Sequence, residues 1–348
     1  MKPANLLAIL LTTLLTTFSC KESITEPEPP AGRRDYVWKV DTLYYPGNTL
    51  FRMWASSPTD VWATSPGDFG KNIFHYDGQK WSYYSVSGMN SPIPLWGENS
   101  SNVFVAGAAG VKGEVWKFNG SNWSKFAEIS KDEHKKFYLN NIWGKNRNDF
   151  YVFGGSPDTI VGGLNNSVIA HFLNNKWEVL NTSSVFGLVA HLYEDLKIGR
   201  VYFQALKTGN GKYNDSTLIY EHHQGKYNKL YGSIWTGGQQ AFLGYINNEV
   251  YFILGNRIAK RVGGQFKNII QVDNPNFYQR IWGRSSNDLF LFMLDGLVHY
   301  DGSDLKYLIR FDKPKTHIAG AAIFEKDVFF LVYESSIGRS LIYYGKIN

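Results

Sequence analysis

The sequence predicts an all-β fold, a β-propeller of seven four-stranded blades, on three observations. A unit of strands and tight turns recurs through nearly everything after residue 35. Aromatic residues make up 16% of the chain, and no long helical periodicity accompanies them. A segment near the N-terminus matches the one strand that the last copy of the unit lacks. Residues 36–348 divided into seven give about 45 residues per unit, the size of a propeller blade.

The clearest copy is QRIWGRSSNDLFLFMLDGLVHYDGSDLKYL, Gln279 to Leu308. Ile281, Trp282 and Gly283 form a short apolar entry, RSSND makes a polar turn, and LFLFML is a β-rich run. Asp295 and Gly296 turn the chain into LVHY, and Asp301 and Gly302 turn it again towards Leu305. One such sheet cannot bury both faces, so it needs copies of itself as neighbours.

The copies follow in order. The first runs from Leu50 through IFHYDGQKWSYY, the second starts at Pro94, and the third starts with NNIWGKNRNDFYVFGG and resumes after an insertion as NSVIAHFLNNKWEVL. Trp54, Trp96, Trp143 and Trp282 hold one repeat position. Two degenerate copies fill the interval between Trp143 and Trp282, AHLYEDLKIGRVYFQALK with STLIYEHHQGKYNKL and then FLGYINNEVYFILGNRIAKRVGGQFKNI. A seventh, from His317, stops without its last strand. Residues 36–43, YVWKVDTL, supply that strand, with Trp38 standing where Trp81, Trp123 and Trp177 stand. Such closure leaves no unpaired edge.

Ahead of the repeats, residues 1–19 have the form of an export signal: Lys2, the apolar run LLAILLTTLLTTF, and small Ser19 just before Cys20, the single cysteine. The run is short for a membrane span and holds four threonines. The residues Thr17, Phe18, Ser19 and Cys20 resemble a bacterial lipobox, although that family usually has Leu three residues before the Cys. A simple cleaved signal with a free thiol is the alternative. The resemblance implies removal of residues 1–19, lipidation of Cys20 and membrane anchoring through it, each buried methylene adding about 0.8 kcal/mol. Residues 20–35, rich in Pro and Glu, are expected to form a flexible tether. The implied address is the cell envelope, on the outer membrane, facing the periplasm or the surface.

The repeat removes most apparent chemistry. His75, His171, His222 and His299 share one repeat position, so they are spread around the ring and do not converge on a metal. Asp60, Asp149, Asp288 and Asp327 precede the second strand and Asp77 and Asp301 the fourth, where the expected role is a bond to the turn backbone. No phosphate-binding Gly loop, His-Glu-x-x-His or calcium loop occurs, so no cofactor or metal is expected. A formal charge of +6 over 348 residues gives no reason to expect nucleic-acid binding.

Breaks in the repeat mark the expected binding face. The loop between second and third strands is long in the third copy, residues 154–167, and in the fourth, residues 207–216. Loops on a rigid scaffold carry binding more often than its core. The candidate ligand-binding residues are therefore Asp158, Asn165, Asn166, Tyr213, Asn214, Asp215 and Trp235. Tolerated, solvated insertions are the bland alternative.

The unit I-W-G, a Ser/Asn/Asp turn, an apolar strand and an aromatic-Asp-Gly-x-x-Trp ending resembles a bacterial family of Trp-Gly propeller repeats. That resemblance covers about nine tenths of the chain and implies binding or scaffolding at the envelope. The expected function is a non-catalytic binding or scaffolding module for a glycan or a protein partner. A glycan-cleaving hydrolase or lyase is the alternative, needing paired carboxylates or a base with a charge-neutralising partner. A structural part of an export or assembly complex is a third reading.

Overall fold

A computed structural model describes residues 28–43, 50–66, 72–109, 112–131, 136, 138–160, 162–209, 215–235 and 241–348. Contacts group Ala31–Asn348 as one unit and set residues 1–30 apart as another. Within Ala31–Asn348 the strands form seven four-stranded antiparallel sheets. Six take their strands in chain order from the inside out, and the two degenerate copies each make a regular sheet. The seventh sheet is completed by the N-terminal strand Tyr36–Leu43, hydrogen-bonded to Arg339–Ile347.

Closure is register-specific. Tyr36 lies opposite Ile347 and Leu43 opposite Ser340, with Trp38 facing Gly345. A Cβ on Gly345 would lie 2.8 Å from the Trp38 ring, so glycine makes room for the indole there. Trp38 in turn packs against Phe330, and Tyr36 against Phe290 of the neighbouring sixth blade. Each of the seven apolar clusters among the described residues joins two adjacent sheets, and together they run once around the ring. The core is thus a set of seven seams, which is why a chain so rich in Trp, Tyr and Phe suits it.

The Trp-Gly pair has a geometric cause. The Trp54 ring covers Gly97 of the second blade, where a Cβ would approach it to 2.5 Å. Trp96 in turn covers Gly144 of the third, with 2.9 Å to a Cβ. In the four blades with the repeat Trp, a register shift follows it before the first turn, and such a bulge tightens the local twist. Gly97→Val should lower stability by about 1–3 kcal/mol through overpacking, read as a fall in urea midpoint with an unchanged slope. A neutral result would show that Trp54 can move aside freely.

The acidic residues before the second strand differ in role from the sequence expectation. Asp60, Asp149 and Asp288 bond His75, His171 and His299 of their own third strands at 2.7, 2.7 and 2.8 Å, rather than the turn backbone. The reason is reach: both groups face the same side of adjacent antiparallel strands. Asp327, whose blade lacks the His, accepts from the Tyr344 hydroxyl instead. Asp77 and Asp301 do bond their turn backbones, at 2.9 Å to Gln79 and 3.0 Å to Ser303.

Burial alone would raise the Asp288 carboxyl, but bonds from His299 and Arg284 outweigh it and hold the group below its ordinary value. Burial is likewise overcome at Asp60 by bonds from His75, Ser56 and Trp62. Because the folded values are depressed, this stability is present above the unfolded carboxylate range near about pH 4 and is lost as pH falls through the folded values. Acid unfolding should therefore set in below about pH 4. Asp288→Ala should cost about 3–5 kcal/mol at pH 7, leaving Arg284 without its carboxylate and the buried His299 Nε2 without its partner, and should flatten the acid limb of a stability-against-pH curve.

The segment before the closing strand is docked too. Gly32 N–H donates to Asn287 O at 2.9 Å, and Arg34 pairs with Asp301 at 3.1 Å and Asp304 at 2.5 Å. Ordered contact with the sixth blade thus begins inside the stretch read from sequence as tether.

Candidate functional site

The seven inner strands begin at the face carrying the long loops and converge on the ring axis. Between them lies a cavity of about 590 Å³ reached by all seven, lined for example by Arg52, Leu95, Asn140, His191, Phe242, Arg280 and Gly320. Its floor is aromatic. Trp143 of the third blade meets Tyr245 of the fifth at 5.3 Å between ring centres, although the fourth blade stands between them in the ring. Tyr193 stacks on Tyr245 at 5.4 Å and 16°.

Two arginines enter this space. Arg52, on the inner strand Arg52–Ser57, donates from its Nη atoms to Phe51 O at 3.1 Å and Asn140 O at 3.2 Å. Arg280, on Phe277–Ser285, donates to Ile318 O at 3.2 Å and lies over the Phe242 ring at 5.3 Å. The Nε atoms of both are buried without a hydrogen-bond partner. Neither guanidinium has a carboxylate partner among the described residues, and the cavity lining contains no Asp or Glu. Burial, with Arg280 nearby, pushes Arg52 down to about 10, and burial lowers Arg280 as well. Both stay charged at neutral pH.

The other polar lining groups respond to that field. Burial, then Arg52 and Arg280, hold the His191 imidazole well below its ordinary value, so it is neutral, with Nδ1 3.1 Å from the Tyr193 hydroxyl. Burial pushes Tyr193 up to about 12. Gln204 donates to Ala241 O at 2.7 Å and leaves its buried Oε1 unpartnered. The arrangement suits the uptake of an anion, since two positive charges in a low-dielectric space have nothing opposite to offset them.

The loop residues singled out from sequence are placed differently. Asp158 accepts from Ile160 N at 2.8 Å, and Asn166 donates to Pro157 O at 2.8 Å. Asn165 is buried and ties the third blade's loop to the fourth's, donating to Thr208 O at 2.7 Å and accepting from Thr208 N at 3.0 Å. Asp215 accepts from Gly209 N at 2.6 Å, and the Trp235 indole donates to Thr217 at 2.7 Å. Asn165 thus joins the two loops, and Leu188 and Leu206 of the fourth blade line the cavity. Tyr213, Asn214 and Cys20 lie outside the described residues.

Arg52, Arg280 and His191 were missed, though a signal existed. Each stands two residues before its blade's repeat Trp or Tyr, where the other copies have Pro94 and Asn141. A repeat position that varies this much in charge on an inner strand faces the channel, the one place where repeat positions converge.

Fold and cavity together define a seven-bladed β-propeller with a cationic, aromatic-floored centre. Neither known family models nor curated proteins match the sequence. Solved propellers do match in fold. "YCF48 bound to D1 peptide" superposes with a TM-score of 0.60 at 14% identity, over 92% of this chain and 100% of that one. A catalytically inactive virginiamycin B lyase from Staphylococcus aureus with quinupristin gives 0.61 at 13% identity, over 90% and 100%. The extracellular domain of a putative hybrid two-component system from B. thetaiotaomicron gives 0.56 at 14%, over 88% of this chain and 39% of that one. At such identities the likeness is one of fold.

Proposed function

We propose that the protein is a non-catalytic binding or scaffolding module of the cell envelope. Lipidated Cys20 anchors it to the membrane, and the central cavity takes an anionic group of a glycan or protein partner. The observation that carries this reading is the pair of guanidiniums, Arg52 and Arg280, facing one cavity with no carboxylate in its lining. Each guanidinium is half-buried, its Nε closed off from water and its Nη atoms tied to main-chain carbonyls, so an anion entering the cavity meets positive charge that no carboxylate of the lining offsets. The joined loops of the third and fourth blades, with Asp158, Asn165, Asn166, Asp215 and Trp235, form the outer part of the site. Two of the structural neighbours hold a peptide and quinupristin respectively, consistent with a propeller scaffold that receives ligands.

Calorimetric titration of the purified chain with small anions at low ionic strength tests the reading. Saturable binding is expected, weakening steeply with added salt and lost in the Arg52→Gln, Arg280→Gln double variant. Binding that survives the double substitution would sink the cavity as its seat. Membrane attachment is separate: Cys20→Ser should release the protein into the soluble fraction, and retention at the membrane would overturn the anchor.

A further inference from the structure

We propose that the group held in the cavity is the carboxylate of an acidic sugar, a hexuronate residue of a glycan, whose pyranose ring rests on the aromatic floor. This rests on the reading of the cavity as an anion site and names its ligand.

The unsatisfied atoms describe the ligand. Arg52 and Arg280 each keep a buried Nε donor with no acceptor, and Gln204 keeps a buried Oε1 acceptor with no donor. These atoms are closed to water as they stand, so a ligand engages them by drawing the side chains towards the cavity, and one that does so offers acceptor oxygens to the arginines and an N–H or O–H donor to Gln204. Guanidinium forks fit planar oxyanions. A carboxylate next to ring hydroxyls meets both demands at once. Inorganic phosphate would meet the arginines but would leave the aromatic floor of Trp143, Tyr193 and Tyr245 uncovered. The Trp143, Tyr193 and Tyr245 side chains that line the cavity instead offer apolar surface to the C–H face of a sugar ring, and about 590 Å³ falls within the range of small-ligand clefts.

The alternative occupant is a polypeptide chain end. An entering chain would pair its N–H groups with carbonyls on the inner strand edges. Four of those carbonyls, one on each of four inner strands, are already taken by side chains. Arg52 holds Asn140 O, Arg280 holds Ile318 O, and Gln204 holds Ala241 O. Ala190 O accepts from Asn140 at 3.3 Å and from Asn141 at 3.4 Å. What the cavity offers is side chains, which is how a sugar is read.

The test is a ligand panel on the purified wild-type chain, followed by tryptophan fluorescence and calorimetry. The panel holds oligogalacturonate and oligoglucuronate, the neutral galactose and glucose oligomers, inorganic phosphate, and a short peptide with a free or an amidated C-terminus. An acidic oligosaccharide should bind at least about tenfold more tightly than its neutral counterpart and more tightly than phosphate or the peptide acid. Arg280→Gln should remove that preference, and Gln204→Leu should weaken acidic-sugar binding several-fold. Neutral sugar or phosphate binding as tight as uronate would overturn the sugar-acid assignment. Preference for the peptide acid over its amide and over uronate would overturn it as well, while keeping the anion site. Absence of binding by every anion would overturn both. These outcomes are measured on the wild type, so they decide the matter even where a variant fails to fold.

Discussion

Arg52→Met and Arg280→Met made together should melt at a higher temperature than the wild type when no ligand is present, while anion binding is abolished. The two guanidiniums share a low-dielectric cavity and have no carboxylate partner among the described residues. Their few bonds run to main-chain carbonyls, at 3.1 and 3.2 Å for Arg52 and 3.2 Å for Arg280. Replacing buried ions by apolar groups of similar volume is commonly neutral or stabilising by about 1–4 kcal/mol, here aided by relief of like-charge repulsion. For a domain of this size each kcal/mol shifts the midpoint by about 2–4 °C. Calorimetric melting at low ionic strength measures it. Added uronate or phosphate should raise the wild-type midpoint and leave the variant's unmoved. A lower midpoint in the ligand-free variant would show that the arginines serve as props for Phe51, Asn140 and Ile318, and would count against a binding role.

Removal of residues 1–43 should abolish cooperative folding. The loss strips eight paired residues from the seventh sheet and exposes the edge of Arg339–Ile347. It also takes Tyr36 and Trp38 from the seam between sixth and seventh blades. Losing one large buried aromatic costs about 3–5 kcal/mol, and a whole domain is stable by only about 5–15 kcal/mol. A bare strand edge also pairs readily with other chains. The truncated chain should recover mainly as aggregate in size-exclusion chromatography, whereas Trp38→Ala alone should fold with a lower urea midpoint. A truncated monomer with an unchanged melting curve would show that the ring does not need its closing strand.

Much of this architecture was legible because a propeller repeats its chemistry at fixed intervals. Trp54, Trp96, Trp143 and Trp282 marked equivalent inner-strand positions, and each faces the corresponding second-strand residue, Trp62, Phe104, Tyr151 and Phe290. Trp38 identified the closing strand by the same logic. His75, His171 and His299 were readable as one repeat position, whereas in the fourth blade Glu221, not His222, takes it opposite Tyr202; the Asp–His pairing across the hairpin was not readable, since it depends on register and side-chain reach.

The loops drew the functional reading because they break the repeat, yet Asn165 spends its polar groups joining the two loops, Asp215 bonds Gly209 within its own, and the Trp235 indole bonds Thr217 of the neighbouring strand. By itself the sequence determined the seven blades and their closure, because each blade's burial pattern is local and recurs. Only the tertiary structure decided the site. Arg52 and Arg280 lie on the first and sixth blades, far apart in the chain, and ring closure alone brings them to one cavity, where no acid among the described residues pairs with them.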